Sequence, residues 1–344
     1  MERRVDPDAP VLLSPPARAL TLAAVIETPL YQELKVFTGN AHPALACDIC
    51  EYLEKPLGQC EVFEFSNENI FVRFMENIRA RDVFLVQPIA SPVNTRLMEL
   101  FIMIDAAKRA SAGRITAVVP YYGYGRSDKK DQPRVPITAR LIANFIETAG
   151  ADRLLTIDLH AGQVQGFFNI PVDELTALDL LARHFRDKKL RDLTVVATDV
   201  GDAKRAGHMA DRLGVPIAIV EKKRLGNHDN VEAVSMIGEV AGRTALIVDD
   251  EVDTAGTLVA TAEIVLRNGA TEVYASATHP ILSGPAVQRI EASAIKELVI
   301  TDTIPLPPEK QLPNITVLSV APLLGEAIRR IHTGQSVGAL FDEY

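Results

Sequence analysis

The chain is expected to fold as an α/β protein of two tandem, doubly wound domains, each with a mainly parallel sheet. Three observations lead there. Apolar runs alternate with helical patterns from about residue 35 onward, the order that builds parallel sheets with helices on both faces. At 344 residues the chain is long enough for two cores of ordinary size. Hydrophobic residues make up 47% of it, which suits a globular α/β protein and not a disordered one.

Taken in order, residues 1–34 stand apart as an extension. Pro15 and Pro16 split its short apolar pieces and Asp6 and Asp8 precede them, a poor match to a signal peptide. Residues 43–53 carry a helical pattern that includes Cys47 and Cys50. No second pair completes a zinc site, so these two are expected to be buried small hydrophobes. Apolar-rich runs predict strands at 83–87, 115–119, 154–158, 194–198, 217–220, 245–248, 272–277, 298–301 and 316–320. Helices are predicted at 94–110, 138–149, 203–213 and 256–267. A charged stretch at 183–192 marks the split, giving an N-terminal domain of 35–180 and a C-terminal domain of 181–344. Both halves run strand, charged loop, helix, strand, so a duplicated domain is the economical interpretation. Ligands then belong where strand-end loops of the halves face one another.

Charge and cysteine content narrow the function. A net charge of −9 argues against a nucleic-acid partner, which needs a basic face. Cys47, Cys50 and Cys60 are too few and too clustered for a disulfide framework, which predicts a reducing, cytoplasmic compartment. No apolar stretch approaches a membrane span, so no membrane partner is expected.

The most informative segment runs from Thr244 through Thr257. A buried strand leads into Asp249 and Asp250, and the small-residue turn Asp253-Thr254-Ala255-Gly256-Thr257 opens a helix. Such a turn offers backbone N–H groups and hydroxyls to a phosphate. Acids at the carboxyl end of the strand lie where open sheets bind ligands, and they can accept the hydroxyls of a sugar phosphate. Lys222 and Arg224 follow the apolar strand 217–220, and residues two apart in an extended segment reach the same side. Arg126, Lys129, Lys130 and Arg134 lie in a loop to which Gly123 and Gly125 lend mobility. On its own that loop is an even choice between a ligand lid and a solvated turn. His160 at a strand end is, taken alone, more often structural or solvated than a ligand. Asp199, taken alone, reads as a cap for the helix from Ala203.

Together the motifs resemble the ribose-phosphate diphosphokinase family, over about residues 35–340. The resemblance is carried by Phe65-Ser66-Asn67, by the Tyr121–Asp131 loop, and by Asp158-Leu159-His160 with Gln165-Gly166-Phe167-Phe168. Lys222-Lys223-Arg224, the Asp249–Thr257 run, Thr278-His279-Pro280 and Ser283-Gly284-Pro285 complete it. It implies two domains of the phosphoribosyltransferase type and the transfer of diphosphate from ATP to ribose 5-phosphate. By the same resemblance His160 and Asp199 match magnesium ligands, and Lys222 and Arg224 match groups that stabilise the transition state. Phe65, Asn67 and Asn69 match the adenine pocket. Arg126, Ser127, Asp128, Lys129 and His160 fall on the ATP side, and Asp249, Asp250 and residues 253–257 form the ribose 5-phosphate site. The family also implies a homo-oligomer, usually a hexamer, with an allosteric site to which Arg79, Asp173 and Glu174 correspond.

Three residues depart from the family pattern: Ser127 for Gln, Asn69 for Glu, and Asp202 for a Gly whose positive φ an Asp tolerates less readily. Altered nucleotide affinity or regulation is expected from them. Two other readings compete. A phosphoribosyltransferase shares the Asp249–Thr257 run but has no use for the 126–134 loop or for Lys222 and Arg224. A non-catalytic regulatory homologue should have lost its metal ligands or its catalytic cations, and this chain keeps both.

Overall fold

The computed structural model describes Tyr31 and residues 33–224 and 232–341, with the backbone alone at 221–224 and 232–234. The N-terminal half comprises β1 (Leu34–Thr38), α1 (Pro43–Tyr52), β2 (Cys60–Glu64), β3 (Ile70–Phe74), β4 (Asp82–Val86), α2 (Val93–Arg109) and β5 (Arg114–Val119). It continues through α3 (Thr138–Ala149), β6 (Arg153–Ile157), β7 (Val172–Leu175) and α4 (Leu178–Lys188). The C-terminal half begins with β8 (Leu193–Ala197), α5 (Ala203–Leu213), β9 (Ile217–Arg224), β10 (Glu232–Ile237), β11 (Thr244–Val252) and α6 (Gly256–Arg267). After these come β12 (Glu272–Pro280), α7 (Ala286–Glu291), β13 (Ile295–Thr301), β14 (Ile315–Leu318) and α8 (Ala321–Thr333).

Among the described residues the first sheet runs β1-β4-β5-β6-β7, with every neighbouring pair parallel. The second runs β10-β9-β8-β11-β12-β13-β14, parallel except at the β9–β10 edge. Every residue of β4 and of β5 is buried, as expected of parallel strands covered on both faces. The antiparallel hairpin β2–β3 stands outside both sheets.

Alternation along the strands divides the core into three. Val83 and Leu85 face α2 and α3, while Ile247 and Ala275 face α6 and α7. Phe84 and Val86 of the first sheet join Val195 and Val248 of the second in one continuous cluster with α1, α4, α5 and α8. The two sheets therefore rest on a shared helical layer. The C-terminal helix α8 is tied to the opposite half: Arg114 donates to both oxygens of the fully buried Asp82 (2.8 and 2.6 Å) and to the Ile331 carbonyl (3.0 Å). The His332 ring sits 2.8 Å from the same Asp82 carboxylate.

Several expectations need correction. The charged stretch 183–192 that marks the split lies partly within a helix, since α4 runs through it to Lys188, burying Leu178, Leu181, Ala182 and Phe185. Lys222 and Arg224 do not follow β9 but belong to it, opposite Val234 and Glu232 of the antiparallel edge strand. Cys47 is exposed although Cys50 is buried; burial pushes the Cys50 thiol up to about 12. Gly123 serves close packing rather than mobility, since a Cβ there would meet the Ile89 carbonyl oxygen at 2.5 Å. Asp202 needs no positive φ: its φ is −84°, and it begins α5 without strain.

Candidate functional site

The site forms at the carboxyl ends of the central strands. β11 lies between β8 and β12, and its apolar run 245–248 is buried on both faces. The strand extends to Val252, so Asp249 and Asp250 sit within its last turns of pleat rather than beyond it. Ala255 then adopts the left-handed conformation (φ 58°) and α6 begins at Gly256, with no side chain capping its first N–H groups. Those groups remain free for an anion. The turn is braced from outside: Ser283 N donates to the Asp253 carbonyl (2.9 Å), its hydroxyl to the Asp253 carboxylate, and Arg289 to the Thr254 carbonyl (2.9 Å). A cavity of about 500 Å³ opens here, lined by residues 249–258 together with Arg126, His160, Thr198, Asp199, Gly201 and Asp202.

Residues from the two halves meet in it. His160 follows β6, two residues past Asp158, and its Nδ1 lies 2.7 Å from Asp250 Oδ2. That hydrogen bond raises the imidazole above its ordinary range against the opposing effect of burial. Burial acts to raise Asp250 as well, but the His160 bond and one with Asp249 hold its carboxyl far below the usual range. Asp250 is therefore the ionised acceptor and His160 Nδ1 the donor, which leaves Nε2 for another partner. Asp249 moves the other way, pushed well above the carboxylate range by burial and by its bond with Asp250 and the nearby Asp202. Burial likewise raises Asp202 and Glu251. One oxygen each of Asp202, Asp249 and Asp250 lies within 4.8 Å of the others. Crowded carboxylates of this kind are relieved by a cation.

Arg126 crosses from the N-terminal half to pair with Glu251 and, at 3.3 Å, with Asp253. Asp199 is exposed; its Oδ1 accepts from Gly201 N (2.6 Å) and Asp202 N (3.1 Å), closing the turn before α5. A second cavity of about 560 Å³ shares His160, Gly201, Asp202 and Asp250 with the first. Lys129, Lys204 and Arg205 give it a cationic wall, and Asp128 and His208 line it too.

Of the residues picked from sequence, His160, Asp199, Arg126, Asp249, Asp250 and 253–257 line the first cavity, and Asp128 and Lys129 line the second. Ser127 turns aside, its hydroxyl 3.3 Å from that of Thr138 at the start of α3. Phe65, Asn67 and Asn69 lie at the β2–β3 turn and line neither cavity. The side chains of Lys222 and Arg224 lie outside the described residues. Glu174 does more than lie on the surface, since Oε1 accepts from Leu159 N (2.9 Å) beside His160. Glu251, Arg205 and Lys204 escaped the sequence reading. Glu251 is the third acid of a run already singled out, whereas Lys204 and Arg205 in an amphipathic helix carry no signal of their own.

The model for the N-terminal domain of ribose phosphate pyrophosphokinase matches residues 34–150, and that for the phosphoribosyl synthetase-associated domain matches residues 228–342. A ribose-phosphate pyrophosphokinase of Caldanaerobacter subterraneus subsp. tengcongensis is 54% identical over 309 residues, covering 90% of this chain and 98% of that protein. The protein of the same name from Bacillus subtilis is 49% identical over 311 residues, again 90% and 98%. The crystal structure of phosphoribosylpyrophosphate synthetase from Mycobacterium smegmatis superposes with a TM-score of 0.82 at 42% identity, over 87% of this chain and 99% of that one.

Proposed function

Because the chain belongs to the ribose-phosphate pyrophosphokinase family, we infer that it moves the diphosphate of ATP to ribose 5-phosphate and that the cavity described above is where it does so. The anomeric hydroxyl oxygen attacks the β-phosphorus, the bond from that phosphorus to the α-phosphate bridge breaks, and AMP leaves. The observation that carries the reading is the meeting of His160 and Arg126 with Asp250, Glu251 and Asp253 beside an open helix N-terminus.

In this reading the N–H groups and hydroxyls of residues 253–257 hold the 5-phosphate, and Asp249 and Asp250 accept ribose hydroxyls. Arg126 leaves its carboxylate partners for the triphosphate, and Lys129 acts from the adjoining cavity. Lys222 and Arg224, two apart on β9, are assigned to the transferring phosphoryl group. Such transfers are won by positioning and charge neutralisation rather than covalent chemistry. Mg²⁺ fits: His160 offers Nε2 once Nδ1 serves Asp250, and Asp199 offers an exposed carboxylate on the same cavity. When bound, it neutralises charge on the ATP oxygens. Phe65, Asn67 and Asn69 line neither cavity within one chain, which supports a homo-oligomer, hexameric by family, whose second copy brings the adenine pocket. No described helix is long and apolar enough to cross a membrane, and the free cysteines support a cytoplasmic enzyme.

The test is to incubate purified protein with ATP, ribose 5-phosphate and Mg²⁺. AMP and phosphoribosyl pyrophosphate should accumulate in equal amounts. ADP in their place, or no turnover, would overturn the reading.

A further inference from the structure

We propose that Asp158 is a positioning residue that fastens the loop carrying His160 to the C-terminal sheet and so fixes His160 against Asp250. The proposal rests on the reading above and adds to it a device joining the two halves.

Asp158 has φ +40°, in the left-handed region that residues other than glycine seldom adopt. Such a conformation persists where surrounding bonds over-determine it, and here they do. From its own half, Leu175 O accepts from Asp158 N (2.9 Å), while Thr176 Oγ1 and Ala177 N donate to the two carboxylate oxygens (2.8 and 3.0 Å). From the other half, Thr278 Oγ1 donates to Oδ2 (2.7 Å) and His279 Nε2 donates to the Asp158 carbonyl (3.0 Å). Arg205 on α5 stands 3.4 Å from Oδ1.

The partners on the C-terminal side are themselves immobilised. Thr278 and His279 are almost fully buried on β12. A carbonyl can only accept, so His279 carries its proton on Nε2 and its Nδ1 takes the hydroxyl of Thr303 (2.9 Å). Thr301 Oγ1 donates to the Thr278 carbonyl (2.7 Å). The carboxylate of Asp158, on the wall of the second cavity, is thus filled by donors, and its effect is exerted through the backbone that leads two residues on to His160. Glu174 grips the intervening Leu159 N–H at 2.9 Å. Held so, His160 can meet an acid that lies on the opposite sheet.

Thr278→Val removes the cross-half hydroxyl donor to the carboxylate and keeps the shape, leaving His279 and Arg205 in place; Thr278→Ser restores it. In ¹⁵N-histidine NMR without nucleotide, the Nδ1–H signal of His160 should be sharp in the wild type and in Thr278→Ser, and broadened by exchange in Thr278→Val. In kinetics Thr278→Val should lower kcat/KM for ATP on the order of 10-fold or more, with KM for ribose 5-phosphate unchanged. Should Thr278→Val fail to fold, Asp158→Ala and Asp158→Asn take the same two measurements, Asn keeping the left-handed backbone and one acceptor and so ranking closer to wild type. An unchanged His160 signal in a folded variant, or losses that are equal for both substrates, would overturn the positioning role while leaving the activity of the wild-type enzyme intact. Failure of the wild type to release AMP would instead strike the functional reading alone.

Discussion

At the scale of single residues the site is governed by how little room surrounds its acids. A Cβ on Gly201 would stand 2.9 Å from Asp199 Oδ1, the oxygen that closes the turn into α5. Gly201→Ala must therefore displace the Asp199 carboxylate. Because the turn is exposed, its melting temperature should move little, whereas misplacement of a ligand by about 1 Å costs up to about 100-fold in rate. Steady-state kinetics beside a thermal melt separate the two effects. Lys222→Ala should cut kcat far more than it weakens ribose 5-phosphate binding, as expected of a group that acts in the transition state; equal losses would contradict that role. The roles of these residues were legible unevenly. Asp249–Thr257 can be read from strand, acids and turn, since all three are contiguous. His160 could be picked only through the family resemblance, and Asp158 was given no role, because their partners Asp250 and Thr278 lie 90 and 120 residues away.

At the scale of elements, α8 is held by an almost fully buried ion pair. Asp82→Ala would leave the Arg114 guanidinium buried beside the Ile331 carbonyl without its carboxylate, and loss of one partner of such a pair costs about 3–5 kcal/mol. Urea unfolding should show a lower midpoint with an unchanged slope. The buried strands were readable because apolar runs in a parallel sheet are continuous; the predicted runs at 115–119 and 194–198 fall within one residue of β5 and β8. The helix α3 was readable from one dense apolar stripe. What hid α4 was charge, yet Leu178, Leu181, Ala182 and Phe185 are spaced as one helical face. Edge pairs such as β9–β10 stayed hidden because only their antiparallel partner reveals where the strand stops.

At the scale of the whole molecule, buried histidines couple stability to pH. Burial depresses His42 below its ordinary 6.5, against the pull of Asp302, and burial depresses the fully enclosed His279 as well. The unfolded chain then takes up protons near pH 6.5 that the folded chain refuses, so stability is complete above that value and falls as pH drops through it. His42 Nδ1 also accepts from Leu45 N at the start of α1, a capping task Asn can take over. His42→Asn should accordingly flatten the loss of melting temperature between about pH 7 and pH 5.5. Removing residues 321–344 should be far more disruptive, because α8 contributes Leu324, Ile328 and Ile331 to the core beneath both sheets. Loss of the N-terminal half's cooperative unfolding along with the C-terminal half's would be seen in near-ultraviolet circular dichroism.

Two sheets mounted on one common floor cannot swing like the jaws of a clam. In the proposed reading substrate is enclosed by loops alone, among them the Arg126 segment, which would let go of Glu251 and Asp253 to do so. Small-angle scattering should accordingly trace the same envelope with and without bound nucleotide and sugar phosphate, while hydrogen exchange slows only along the rim.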